Sequence, residues 1–368
     1  MSVLNTNKLI ENRIAAIKEF HKECGVTKAE LDLSGGIDSA VMAYLLVEAL
    51  EPENVLLVHT AIDTDPKQTK RARELADALG APFVDFNMTP LFGSLFSSMV
   101  SEMACATGKK NGDIRKDIES DPTILGSIRS CLRAPVGRGF NRMFGGGIRH
   151  GTGNECEDRF LRFYQKGGDG EVDTNPMAML TKTEVFQLAY GIYQKNMIEN
   201  NVGMAWNYDL AQCFKELISV KPSPDLWDAG DGHNDEDELR DWTGVPFTYG
   251  QVDPETGKVL KYGTIERMSR LLDYSKWDFH GTPVEKTLFS AYKPDSDSNR
   301  YNWKNLLRFA RDSGTFPANK FYDVEVLAFL KAARKIERIT RHKENPSIPT
   351  LGTRAELLKA GILTNKMD

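Results

Sequence analysis

The chain has 368 residues, 40% of them apolar, and 47 Lys and Arg stand against 52 Asp and Glu for a formal charge of −5. That length buries a sizeable core in one large domain or two ordinary ones. A mildly acidic balance excludes a general polyanion binder, so no nucleic-acid partner is expected, although it leaves room for a local basic pocket. Cys24, Cys105, Cys131, Cys156 and Cys213 stand apart with no Cys-x-x-Cys spacing, which excludes a disulfide framework and a cysteine zinc site. The N-terminus lacks the charged-then-apolar pattern of a secretion signal, and the longest apolar run, Ala40 to Val47, is too short to span a bilayer. A cytoplasmic protein with no membrane partner is expected.

In chain order, residues 6–24 predict an amphipathic helix through Ile10, Ile14 and Ile17, stopped by Gly25. Residues 28–33 read as a strand, followed by the loop Ser34-Gly35-Gly36-Ile37-Asp38-Ser39 and a buried helix over 40–50. A second strand spans 54–62. The next helix takes Asp65 as N-cap and Pro66 in its first turn, ends before Gly80, and lines up Ala72, Leu75, Ala76 and Leu79. A strand at 82–86 completes a βαβαβ unit. The expected class is therefore α/β, a doubly wound parallel sheet with helices on both faces. Residues 106–125 are polar and charged and read as a mobile surface loop, and 137–153 are glycine-rich and basic. Thr181 and Glu184 have the spacing of a capping box that opens a helix. Residues 221–238 are acidic, 247–320 are aromatic and turn-rich, and a last helix covers about 322–343 through Val326, Phe329, Ala333 and Ile336. Glu30 and Asp32 are out of character for a buried parallel strand.

The Ser34–Ser39 loop lies between a strand and a helix, where open parallel sheets bind ligands. Its glycines let the backbone approach a phosphate, and the N–H groups of the helix start supply positive potential. Asp38 repels a phosphate but suits a Mg²⁺ that also holds one. The spacing is neither Walker A nor G-x-G-x-x-G. For an isolated Ser-Gly-Gly, an ordinary tight turn is the plainer alternative.

The whole SGGIDS string resembles the pyrophosphate loop of ATP pyrophosphatases, enzymes that split ATP into AMP and pyrophosphate. Downstream stand Gly151-Thr152-Gly153-Asn154-Glu155-Cys156-Glu157, then Lys166, Gly168-Asp169-Gly170, Asp173, Pro176 and Leu180-Thr181-Lys182-Thr183. This order is similar to the pattern of NAD synthetases. Pro222-Ser223-Pro224-Asp225-Leu226, the acidic run Asn234 to Leu239, and His342-Lys343 resemble later segments of the same family. The resemblance covers about residues 27–245 and 322–349.

It implies an adenine nucleotide alpha-hydrolase-like fold and ATP-dependent amidation of deamido-NAD⁺ by ammonia through an acyl-adenylate, giving NAD⁺, AMP and pyrophosphate. It also implies Mg²⁺, ATP as co-substrate and a homodimer. Residue by residue, it puts the metal on Asp38 and Glu157, and ATP on Ser34, Gly35, Gly36, Ile37, Asp38, Ser39, Thr152, Lys182 and Ser223. Deamido-NAD⁺ falls to Arg129, Arg133, Lys166, Asp173, His342 and Lys343. The catalytic set is Asp38, Glu157, Lys182 and Asp169; Asp169 and Asp173 are both acids that could steer or deprotonate ammonium, and spacing does not choose. A lysine at a helix start opposes the macrodipole, which points Lys182 toward anions.

Several features depart from the family pattern, among them a residue inserted between Glu157 and Lys166 and Gly167 in place of an aromatic. Cys131 stands where the inner arginine of a basic pair is expected, and Gly145–His150 is a poor match to an apolar fourth strand. About 75 extra residues separate the acidic run from the last helix. The expected organisation is a catalytic core over 1–246, a mixed insertion over 247–320 and a C-terminal helix and tail over 321–368 that completes the acceptor site. Only 26 residues precede the first strand, so free ammonia rather than glutamine is the expected nitrogen donor. The rival readings are a related ligase that adenylates a different carboxylate, and a catalytically silent nucleotide-binding protein.

Overall fold

The computed structural model describes residues 2–121, 123–162, 165–200, 207–221, 234–274, 303–340 and 354–364. The chain opens with β1 (Ser2–Val3) and α1 (Thr6–Cys24), which Asn5 caps by accepting the Lys8 N–H. Next come β2 (Ala29–Asp32), α2 (Ile37–Leu50), β3 (Val55–Ala61), α3 (Pro66–Leu79) and β4 (Phe83–Asn87), within a few residues of the boundaries expected from apolar periodicity. Asp65 caps α3 through the Lys67 N–H.

With β5 (Ile148–His150), these strands form a four-stranded parallel sheet in the order β4-β3-β2-β5. Right-handed crossovers put α2 and α3 on one face. There they meet α1, α7 (Lys182–Asn200) and α8 (Asn207–Ser219) in a core that includes Leu9, Leu31, Val41, Leu57, Leu188 and Phe214. The return from β4 to the far side of β2 runs through α4 (Thr89–Thr107), α5 (Asn111–Glu119) and α6 (Thr123–Met143). The α6 helix covers the opposite face, where Ile128, Leu132 and Val136 pack against Ile62, Met88 and Phe92. Near the end of the chain, β8 (Leu363–Thr364) pairs antiparallel with β1.

Two expectations from composition need correction. The stretch 106–125 is not a mobile loop throughout, because α5 occupies its centre. Its Ile114, four residues before Ile118, packs onto Val100 and Ala104 of α4, and that short apolar stripe suffices to dock a polar helix. The glycine-rich segment from 137 is helical through Met143, and the strand doubted at Gly145–His150 exists as β5.

Beyond residue 234 a second apolar cluster forms. Here α9 (Asp235–Thr243), the β6–β7 hairpin (Gln251–Val252 and Val259–Lys261), α10 (Thr264–Tyr274) and the helices Trp303–Asp312 and Asp323–Ile339 follow in turn. Leu239, Phe247, Met268, Phe316, Phe329 and Leu330 gather around Cys156 and Phe160. The hairpin strands pair with each other and not with the four-stranded sheet. Two amphipathic helices thus lie within a stretch whose composition reads as turns. Among the described residues, no helix is long and apolar enough to cross a membrane.

Buried charge, not apolar surface, attaches the short β5. Parallel pairing sets Glu30 beside Arg149, whose guanidinium holds both Glu30 oxygens at 2.7 and 2.8 Å and also bonds Asp32. Glu30 is fully buried and Arg149 is 1% exposed, so removing either partner would strand a charge in the core. Burial, with Asp32 beside it, pushes Glu30 up to about 7, and Arg149 opposes that rise.

One residue further on, the His150 ring stacks on that of His21 with their Nε2 atoms 2.9 Å apart. His21 Nδ1 lies 2.8 Å from the Val26 carbonyl and must donate to it, so its Nε2 accepts from His150 and both rings are neutral. Burial first, then His21, push His150 down to about 3, against a weaker upward pull from Asp173. The folded value lies below the ordinary value near 6.5, so this contribution to stability is complete above that pH and is lost as pH falls toward 3. Glu30, raised to about 7, pulls the opposite way over the same range, so the His150 proton is read as a difference. In urea titrations between pH 6 and 4 the His150→Gln slope should differ from that of the wild type by up to about 1.4 kcal/mol per pH unit, the wild type losing more stability toward low pH. An unchanged slope in the variant would show that His150 does not carry that loss.

Candidate active site

At the end of β2 the chain turns through Ser34–Ser39 into α2. Gly35 has φ +81°, and a Cβ there would lie 2.2 Å from the Gln68 carbonyl oxygen, so no other residue fits. The serines lace the turn together. Ser39 Oγ accepts the Ser34 N–H at 3.2 Å and donates to the Gly36 carbonyl at 3.1 Å. Ser34 Oγ accepts the Gly36 N–H at 3.2 Å and lies 3.0 Å from Ser39 Oγ. Arg71 donates to the Gly35 carbonyl from α3. Ile37 and Asp38 form the first turn of α2.

The second component is the start of α7. Thr181 and Glu184 form the expected reciprocal cap, with Glu184 Oε2 accepting the Thr181 N–H at 2.9 Å and Thr181 Oγ1 accepting the Glu184 N–H at 3.4 Å. Arg354 grips Glu184 with two 2.8 Å bonds, which fixes the helix start from the C-terminal end of the chain. Lys182 then extends to the sheet edge and donates to Asp38 Oδ2 at 2.5 Å and Glu157 Oε1 at 2.7 Å.

Glu157 belongs to a π-helical turn, Cys156–Leu161, that follows β5. Asn154 organises that turn. Its Oδ1 accepts the N–H groups of Cys156 and Glu157, and its Nδ2 donates to Asp38 Oδ1 at 3.0 Å. The neighbouring Glu155 points inward to Ser269 Oγ at 2.7 Å and to Arg270. Tyr249 lays its ring over the Lys182 ammonium, 5.5 Å from ring centre to nitrogen. Asp235, at the start of α9, is buried beside this group.

Charge dominates the site. Burial pushes Glu157 up to about 8, with Asp38 and Asp235 adding to the rise and Lys182 opposing it. Burial also raises Asp235. Burial alone would lower the Lys182 ammonium, but Asp38, Glu157 and Asp235 together hold it well above the ordinary lysine range. Two acid side chains from different elements therefore converge on one cation. That donor set fits Mg²⁺, which is commonly held by one or two carboxylates with phosphate oxygens and water filling the other positions. Among the described residues no three His, Cys, Asp or Glu side chains are arranged as a self-sufficient metal cage.

The remaining sequence candidates form separate groups. Asp169 accepts Ser130 Oγ and the Gln165 N–H, both at 2.7 Å. Asp173 is forked by Arg138 with two 2.9 Å bonds and accepts the Arg149 N–H at 2.8 Å, so it ties β5 to α6. Arg129 is buried against Asp63 at 3.0 Å, and Arg133 donates to the Thr60 carbonyl at 3.3 Å, both at the C-terminal end of β3. Cys131 points its thiol at the Lys166 carbonyl, 3.9 Å away. Lys166 is exposed and Thr152 is half-buried in the segment after β5. Ser223, His342 and Lys343 lie outside the described residues. Sequence reasoning assigned no role to Asn154, Asp235 and Tyr249. Asn154 sits inside the recognised GTGNE string and Asp235 inside the acidic run, whereas nothing in the sequence singles out Tyr249.

A parallel sheet flanked by helices, with a serine–glycine loop at the end of its β2 strand and an acid–lysine centre beside that loop, defines an α/β protein with an adenine nucleotide alpha-hydrolase-like fold. Residues 9–259 match the family model described as NAD synthase, and the chain belongs to that family. It is 31% identical over 256 residues to the NH(3)-dependent NAD(+) synthetase of Trichlorobacter lovleyi, covering 69% of this chain and 76% of that protein. It is also 31% identical over 264 residues to the protein of the same name from Methanococcoides burtonii, covering 71% of this chain and 80% of that one. Among solved structures, an NMN synthetase from Francisella tularensis shares the fold, with a TM-score of 0.55 and 18% identity over 93% of this chain and 97% of that one.

The acid–lysine centre makes a prediction for the free protein. Lys182→Met should leave Asp38 and Glu157 facing each other unpaired, at a cost on the order of 3 kcal/mol in stability. Thermal melts should show that loss, and millimolar Mg²⁺ should recover part of it in the variant. Melts of Lys182→Met that match the wild type and ignore Mg²⁺ would show that the carboxylates need no cation. Gly35→Ala should independently lower the melting temperature, because the new Cβ collides with backbone.

Proposed function

We propose that this chain is an ammonia-dependent NAD⁺ synthetase, joining deamido-NAD⁺ and ammonia at the expense of ATP and releasing AMP and pyrophosphate. The observation that carries this reading is the meeting of Asp38, Glu157 and Lys182 directly over the Ser34–Ser39 loop. Family membership and the names of the relatives support it.

The assigned roles follow from the chemistry. The loop N–H groups and the Ser34 and Ser39 hydroxyls hold the β and γ phosphates, with Thr152, Lys182 and Ser223 as further ATP contacts. Asp38 and Glu157 would hold Mg²⁺, which when bound neutralises charge growing on the departing pyrophosphate. A carboxylate oxygen of deamido-NAD⁺ attacks the α-phosphorus, and the bond to pyrophosphate breaks. Ammonia then attacks the acyl carbon and displaces AMP. Asp169, oriented by Ser130 and the Gln165 N–H, receives the proton that ammonium must lose. Arg129, Arg133 and Lys166, with His342 and Lys343, neutralise the phosphates and carboxylate of the acceptor. Asp173, already held by Arg138 and Arg149, completes that set. We further propose a cytoplasmic homodimer. We also propose a core over 1–246, an insertion over 247–320, and a C-terminal part from 321 that completes the acceptor site.

Purified protein with ATP, Mg²⁺, deamido-NAD⁺ and an ammonium salt should yield NAD⁺, AMP and pyrophosphate in equal amounts and no ADP. Rates should rise with pH toward the pKa of ammonium, because only neutral ammonia has the attacking lone pair. AMP formation that ignores deamido-NAD⁺ would contradict the proposal, and NMN as the product would give the chain the activity named for the Francisella structure. Asp38→Asn and Glu157→Gln should each lower turnover by at least ~10²-fold, as expected when a metal ligand at a transition state is lost. Chelation should abolish activity and Mg²⁺ restore it. Near-normal turnover in both variants would remove these carboxylates from the mechanism.

A further inference from the structure

The last described stretch of the chain docks against the elements that build the acid–lysine centre. β8 pairs with β1, the Leu4 N–H donates to the Ile362 carbonyl at 3.1 Å, and Leu357, Ile362 and Leu363 are buried in the same core as Leu9 and Leu188. These contacts seat the short helix Arg354–Lys359, whose first side chain is buried. Arg354 is 6% exposed, and its fork on Glu184 is joined by a bond from Nη1 to the Met179 carbonyl at 3.2 Å. The same Nη1 lies 3.8 Å from Glu155 Oε2.

Those two acids flank the residues that meet in the site. Glu184 stands two positions after Lys182, and Glu155 two positions before Glu157. Glu184 is fully buried and its Oε2 also accepts the Thr181 N–H, so the start of α7 follows wherever Arg354 holds that carboxylate. Glu155 has other partners for its charge, because Arg270 pairs with it and Ser269 Oγ donates to it at 2.7 Å. The approach of Arg354 there therefore adds a link between segments rather than a first neutralising partner. A guanidinium fork fixes angle as well as distance, which a single ammonium does not. One planar group thus ties the segment that delivers Lys182 to the turn that delivers Glu157. Their contact, 2.7 Å long, depends on how those two segments approach, and a shift of about 1 Å in a reacting arrangement can cost on the order of 10²-fold in rate.

We propose that Arg354 is a positioning residue for the reaction, setting the approach of Lys182 to Glu157 through Glu184 and Glu155. The kinetic arm of its test rests on the proposed ATP-dependent amidation, and a second arm does not. Arg354→Lys keeps the charge and loses the fork. The double variant Arg354→Met with Glu184→Gln removes the buried pair together, so it strands no charge on Glu184 and keeps an oxygen to accept the Thr181 N–H. In both, kcat should fall about tenfold or more while KM for ATP changes little, the split expected when an arrangement needed in the transition state is lost. In the free protein, Lys182 is 3% exposed, and acetic anhydride should acetylate it several-fold faster in both variants than in the wild type, as read by mass spectrometry. An arginine that only neutralises Glu184 would behave otherwise, because the double variant has no charge left there to neutralise. A double variant that turns over and reacts like the wild type therefore overturns the proposal, and so does Arg354→Lys with wild-type kcat and labelling. Wild-type protein that does not amidate deamido-NAD⁺ would sink the proposed function, and the labelling of Lys182 would still decide the role of Arg354.

Discussion

The ammonium of Lys182 is where the three parts of the candidate site meet. It joins the loop after β2, through Asp38, to the turn after β5, through Glu157, and it is itself delivered by the start of α7. Two acid side chains this close favour a cation between them, and the shared contact ties the three elements together. Asn154 adds a second link between the same loop and turn. A helix that starts on a lysine is electrostatically poor in isolation, and the adjacent acids make it favourable here.

A second buried charge system supports the first from within the sheet. Arg149 satisfies Glu30 and Asp32 on β2, and its own N–H, with Arg138, holds Asp173. Three residues of β5 expose too little apolar surface to secure an edge position, and the guanidinium supplies what the strand lacks. The cost is sensitivity. Neither system tolerates the loss of one partner, whereas an apolar core of the same size would yield gradually.

The cluster beyond residue 234 bears directly on the turn that carries Glu157. Ser269 and Arg270 of α10 hold Glu155, and Glu266 of the same helix holds Thr183. Arg354 reaches Glu184 from still further along the chain. Residues far apart in sequence therefore set the angle at which Glu157 and Lys182 approach each other. Catalytic groups need placement to within a fraction of an ångström, which few loops achieve without such support.

Local physics made much of this molecule legible in the sequence. The βαβαβ unit followed from apolar periodicity. The caps at Asp65 and at Thr181 with Glu184 followed from short-range hydrogen bonding, and the loop chemistry at Ser34–Ser39 followed from glycine spacing beside an acid. Asp38, Glu157 and Lys182 stood inside recognisable strings, so their types and order were readable. Their meeting was not, because Asp38 and Lys182 are 144 positions apart and no local rule measures that separation. The same limit hid α5, whose single buried isoleucine is a weak signal, and β5, whose attachment depends on an arginine opposite acids on another strand. Tyr249 shows the limit most clearly. Its type and neighbours in sequence are ordinary, and only the folding of the later segment sets its ring over Lys182 and its hydroxyl beside Asp235. Composition and short-range spacing determine which elements form and which residues have the chemistry. Long-range pairing of buried charge, an energy that exists only after water has been excluded, decides which of them share a site.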